Sequence, residues 1–141
     1  MTNEAVLKRE TSIPISFTVA DGTGIEQGAI LKLSDANTAA LSDGDQDYIA
    51  GIAAQEKIAN DGKTSLAVYT GGDFMCSVNG TVTAGQALAT SSLTTGSNIL
   101  VAATATAIGT KTFGVALEAH SGATSQILVR LQPGVNNTAY V

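Results

Sequence analysis

The sequence predicts a mostly β fold, a compact β-barrel or β-sandwich-like domain with little helix, and three observations carry that expectation. Apolar and polar residues alternate with period two in several short runs. Turn-forming Asn-Gly and Asp-Gly pairs sit between those runs. Helical periodicity is weak, because no long window keeps an i, i+3, i+4, i+7 apolar stripe without Gly or a Thr cluster breaking it.

The chain opens on an extended N-terminal arm, residues 1–12, ahead of a single β-rich domain over 13–141. Val6-Leu7-Lys8-Arg9 sets two apolar residues beside two of only seven basic ones. Met1–Arg9 sums to +1 and the remainder to −6, so the arm is cationic on an acidic body. Such a segment suits docking onto a partner and ordering there; a frayed terminus is the alternative. Ile13, Ile15, Phe17 and Val19 then alternate with Pro14, Ser16 and Thr18 as one half-buried strand. Pro14 cannot donate to a ladder, which predicts an edge strand or the root of a free arm. Val6, Leu7, Lys8, Arg9, Ile13, Pro14 and Ile15 are therefore the candidate partner-contacting residues.

Thr38-Ala39-Ala40-Leu41 reads as one short helical turn, capped by Asp35 or Ser34. Gly51–Ala59 and Thr64–Tyr69 flank Asn60-Asp61-Gly62-Lys63, which suits the positive φ of a tight hairpin. Phe74, Cys76 and Val78 lead into Asn79-Gly80 and out through Thr81-Val82-Thr83, a second expected hairpin. Phe113, Val115 and Leu117 mark a later strand, and Ile127, Val129 and Leu131 the last.

An approximate internal repeat relates 25–72 to 82–132. Ile25-Glu26-Gln27-Gly28-Ala29-Ile30-Leu31 echoes Val82-Thr83-Ala84-Gly85-Gln86-Ala87-Leu88, and Gly51-Ile52-Ala53 echoes Gly114-Val115-Ala116, at offsets of 57 and 63 residues. Chance recurrence in a Gly-rich β chain is the competing reading.

At 141 residues and net charge −5 the chain is one domain-sized unit, and its acidity argues against nucleic acid or an anionic membrane as partner. The longest aliphatic run, Ile99–Ala103, is too short for a transmembrane helix. Met1-Thr2-Asn3-Glu4 begins no secretion signal. One cysteine excludes an intramolecular disulfide. Charge is unevenly placed: Phe74–Thr110 is 37 residues without any. Either Thr and Ser solvate those loops around a core strand, or part of the stretch is buried between copies, since interface cores are depleted of charge. Thr83, Leu88, Thr95 and Ile99 are the candidate subunit-interface residues.

Catalytic and ligand-binding constellations are missing from the sequence, and no cofactor or metal is expected. The one histidine, His120, lies beside Ser121-Gly122 in a turn-like segment and reads as a solvated loop residue, with no Gly-x-Ser-x-Gly elbow anywhere. Cys76 alternates with Phe74 and Val78 and reads as a small buried hydrophobe. Asp43-Gly44-Asp45-Gln46-Asp47 lacks the Gly and Glu a calcium loop needs at Tyr48 and Ala54, so a solvated acidic loop is expected.

The ordered series Tyr48-Ile49-Ala50-Gly51-Ile52-Ala53, Asn60-Asp61-Gly62, Leu66–Gly72, Val82–Leu88, Phe113–Leu117 and Ile127–Leu131 resembles the capsid decoration, or cement, proteins of tailed bacteriophages, over about residues 13–133. That resemblance implies a non-enzymatic structural virion protein, made in the host cytoplasm, that binds the outside of an assembled head. Its partner would be the major capsid protein, whose subunits it clamps, commonly as a homotrimer with the arm reaching across neighbouring subunits. A tail, baseplate or fibre-associated β domain, or a carbohydrate-binding module, is the alternative; the latter normally offers more exposed aromatics than three Tyr and no Trp.

Overall fold

A computed structural model of the chain describes residues 3–44, 46–91, 98–103 and 111–135. Among them there is no helix, and the fold is β throughout. β1 (Val6–Arg9) is followed by β2 (Ile15–Thr18), β3 (Ile30–Asp35), β4 (Thr38–Leu41), β5 (Ile49–Ala53) and β6 (Ser65–Tyr69). β2 to β6 close into a barrel in the order β2-β4-β3-β5-β6. β7 (Gly72–Val78), β8 (Ala87–Thr90), β9 (Ile99–Ala102), β10 (Lys111–Ala116) and β11 (Ser125–Val135) close into a second, in the order β7-β9-β8-β10-β11. Closure leaves few sheet edges open to water or to other strands.

The two barrels share strand order and pairing sense. In each, the first and third strands run parallel, β2 with β4 and β7 with β9, while every other neighbouring pair is antiparallel. Their turn chemistry matches as well. Gly28 and Gly85 both adopt positive φ, at 88° and 89°, and their N–H groups donate to Ala53 O and Ala116 O. Gly51 and Gly114 sit where another backbone crosses: a methyl group would lie 2.0 Å from Tyr69 O at the first and 1.9 Å from Arg130 O at the second.

Packing explains why the barrels stay together. The interior of the first is lined by Val19, Ile25, Leu31, Leu66 and Val68 with four alanines, Ala29, Ala39, Ala50 and Ala53. The second holds Phe74, Phe113, Leu88, Leu100, Val129 and Leu131. Ile30, Ile49 and Ile52 belong to strands of the first barrel but pack into the core of the second. β5 is buried along its whole length because its two faces serve the two barrels. Three Ile side chains buried in this way contribute about 1.5–3 kcal/mol each.

Several expectations need correcting. Thr38–Leu41 is strand β4: its backbone pairs antiparallel with β3, and that pairing outweighs the helix preference of two alanines. Asn79-Gly80 turns with Gly80 at φ 85° but makes no hairpin, because β7 already has β11 on one side and β1 and β9 on the other. The Asn60–Lys63 turn does join an antiparallel pair, β5 and β6, through a longer irregular connection from Ala54 to Thr64. Pro14 stands just ahead of β2, outside its ladder, where a missing N–H breaks no bond.

Candidate functional site

The N-terminal segment is tied to the body rather than free. Asn3 Oδ1 accepts from Ser77 Oγ at 3.0 Å, and Ala5 N donates to Gly28 O at 2.9 Å. β1 then pairs with β7, Val6 opposite Met75 and Leu7 opposite Phe74, with a bulge at Lys8 before Arg9 meets Asp73. Ala5 is buried and Leu7 packs against the second core, so only part of the segment faces outward. Val6 is 46% exposed, Lys8 is exposed, Ile13 is 77% exposed and Ile15 48%, while Pro14 is half-buried.

Asp73 organises the end of β1. It is 2% exposed, and Arg9 Nε lies 2.7 Å from its Oδ2. Arg130 donates from Nε to Oδ1 at 2.8 Å and from Nη2 to Oδ2 at 3.2 Å. The Arg130 hydrogen bonds and the charges of both guanidiniums hold this carboxyl below the usual range, against the opposing pull of burial. Both arginine side chains stay about half exposed, which leaves a net positive ledge on an acidic protein.

The four interface candidates fare differently. Thr83 is exposed in the loop after β7, and Ile99 is half-buried on β9. Leu88 is fully buried inside its own barrel, so it presents nothing to a second copy. Thr95 lies outside the described residues. Much of the neutral stretch is accounted for internally, since Phe74, Cys76, Val78, Val82, Leu88 and Leu100 line the second core.

Residues read as possible chemistry have structural partners. Burial pushes the Cys76 thiol up to about 12. His120 is buried, not solvated as expected: Nδ1 lies 2.7 Å from Gly80 O and Nε2 2.8 Å from Ser125 Oγ. A carbonyl only accepts, so Nδ1 carries the proton, and in the neutral ring Nε2 accepts from the hydroxyl. Asp47 anchors the acidic loop. Burial disfavours its charge, but donation from Gly44 N, Ser42 Oγ and Asp43 N outweighs that and lowers its pKa. Thr90 holds the same loop from the second barrel, accepting from Asp47 N and donating to Gly44 O. Among the described residues, no group of three or more His, Cys, Asp or Glu is placed to hold a metal.

Two features escaped the sequence reading. Lys57 is buried, its Nζ donating to Asp21 O at 2.8 Å and Ile58 O at 3.1 Å and pairing with Asp61 Oδ1 at 3.2 Å. A lysine three residues ahead of Asn60-Asp61-Gly62 looks like an ordinary surface residue; only its bridge to Ile25 brings it inside. The second is an apolar groove of about 350 Å³ at the mouth of the first barrel, lined by Phe17, Leu33, Tyr48, Thr70 and Pro133 among others. Its walls come from strands far apart in sequence, so no local motif signals it.

Compared with known protein families, the chain matches the family described as phage cement protein over residues 9–131. No curated protein matches it at a significant level.

Proposed function

Because the chain belongs to the phage cement protein family, a structural component of the phage capsid, we propose that it binds the outer surface of an assembled head and clamps neighbouring major capsid subunits together. The observation that carries this reading is the pairing of that family match with the exposed aliphatics Val6, Ile13 and Ile15 in the first fifteen residues, part of which is anchored as β1. A segment already held by Asp73 and β7 has paid most of its ordering entropy before it meets a shell.

In this reading the protein is a non-enzymatic virion component made in the host cytoplasm, needing neither cofactor nor metal. Residues 13–141 act as one β-rich body, and the matched pairing of β3–β6 and β8–β11 supports an origin by tandem repetition of 25–72 and 82–132. Three copies would act together as a homotrimer, multiplying weak single contacts; Thr83 and Ile99 are the interface candidates that remain accessible.

Co-sedimentation with empty cognate shells tests the function. Saturable binding, with density on the outer surface in electron micrographs, is the expected result, and no co-sedimentation at micromolar protein overturns it. Sedimentation velocity of the free protein and of the shell-eluted protein tests the trimer.

A further inference from the structure

Matching the barrels strand for strand reveals a strand site that is filled in one and, among the described residues, unpaired in the other. β9 meets β7 first at Ser77, opposite Ile99, and β4 meets β2 at Thr18, opposite Thr38. Asn98 and Asn37, each just ahead of that contact, both adopt positive φ, at 54° and 48°. Thr18 therefore corresponds to Ser77, and Pro14, Ile15 and Ser16 correspond to Asp73, Phe74 and Met75. On the second barrel, β1 lies along those last three residues, end to end with β9. On the first barrel, β4 covers only Thr18, and among the described residues no strand pairs with that edge of β2 from Ile15 to Phe17.

The side chains record the difference. Phe74, opposite Leu7, is 1% exposed, whereas Ile15 at the matching place is 48% exposed. Beside it Phe17 lines the groove at the barrel mouth, where the first barrel has Ala50 at the position of Phe113 in the second. We propose that the β2 edge over Pro14–Ser16 is a strand-acceptor site for an extended, uncharged, aliphatic segment of a capsid subunit. This rests on the function proposed above. The segment would add antiparallel, as β1 does on β7, and set an aliphatic side chain over Ile15.

Charge selects the occupant. In the filled site Asp73 receives Arg9; in the unpaired one its counterpart is Pro14, which offers no carboxylate. The Val-Leu-Lys-Arg strand of a second copy would place its arginine there without a carboxylate to receive it. An uncharged strand from another chain does not meet that obstacle.

Hydrogen–deuterium exchange read by mass spectrometry, with and without empty cognate shells, tests the site, together with Ile15→Lys and, as a control at another exposed aliphatic, Ile58→Lys. The expected result is at least tenfold slower exchange over residues 14–17 on shells. Ile15→Lys should bind at least tenfold more weakly with an unchanged melting temperature, while Ile58→Lys binds as wild type. Unchanged exchange over 14–17 on shells that do bind the protein overturns this site while leaving the clamp reading standing. So does undiminished binding by a folded Ile15→Lys variant. Protection that appears in concentrated protein without shells assigns the edge to a second copy and also overturns it. Wild-type protein that fails to bind shells overturns both.

Discussion

Lys57 and His120 occupy the same place in the two barrels. Lys57 bridges Ile25 across the first and His120 bridges Val82 across the second, each through a pair of backbone hydrogen bonds. Each then turns its side chain inward to donate to a loop carbonyl, Lys57 to Asp21 O and His120 to Gly80 O. A lysine and an imidazole thus solve one problem, a turn carbonyl facing the barrel that would otherwise lack this donor.

Replacing Lys57 by Met should therefore cost about 1–3 kcal/mol, the penalty for removing the donor shared by Asp21 O, Ile58 O and Asp61. Lys57→Arg, which keeps donors and charge, should recover part of it. His120→Ala should cost a similar amount and leave shell binding unchanged, since the ring is buried and has structural partners. Urea denaturation of the variants measures the first effect and co-sedimentation the second.

Asp73 should give the protein an acid-sensitive component of stability. Its pKa is depressed in the folded state by Arg130 and Arg9. The contribution is thus present above the unfolded carboxylate value of about 4 and is lost as pH falls through the lower folded value. Because the arginines are half exposed, Asp73→Asn should cost only about 1–2 kcal/mol at pH 7. Denaturation midpoints between pH 7 and pH 2 should converge for wild type and variant at the acid end; a constant gap across that range refutes the assignment.

Gly51→Ala and Gly114→Ala should be among the most damaging small substitutions, costing about 2–4 kcal/mol each. In both, the new methyl would collide with backbone carbonyls, which cannot swing away as a flexible side chain does. Gly62→Ala meets no atom within 4 Å and suffers only for its φ of 83°, so about 1 kcal/mol is expected. Thermal melts of the three variants, run together, give the ranking.

Cys76 should behave as packing. Its thiol should resist disulfide-exchange reagents at pH 8 until the protein unfolds, and Cys76→Ala should cost about 1 kcal/mol. Rapid labelling of the native protein would contradict the burial.

Strands with a clean period of two were legible from sequence. Ile127, Val129 and Leu131 turn inward on β11, while Arg130 and Gln132 face out. Leu66 and Val68 do the same on β6. Legibility stopped where local chemistry permits two outcomes. Asn79-Gly80 has the composition of a hairpin turn, and only the occupancy of both edges of β7 denies it one. Thr38–Leu41 is too short for periodicity to separate a helical turn from a strand. Val6–Arg9 looks like a free arm until Asp73, distant in sequence, supplies a buried carboxylate for Arg9.

By itself the sequence determined the fold class, the inward faces of the later strands and the positive-φ turn glycine at Gly62. These depend on alternation and on steric limits at single residues. Tertiary structure alone decided the partners: closure into two barrels, the seating of β1 on β7, the inward turn of Lys57 and His120, and the edge at Ile15 that no strand among the described residues pairs. Strand pairing is non-local, and one pleated segment offers the same hydrogen bonds to any neighbour. The choice among partners therefore falls to shape, charge and burial contributed by residues elsewhere in the chain.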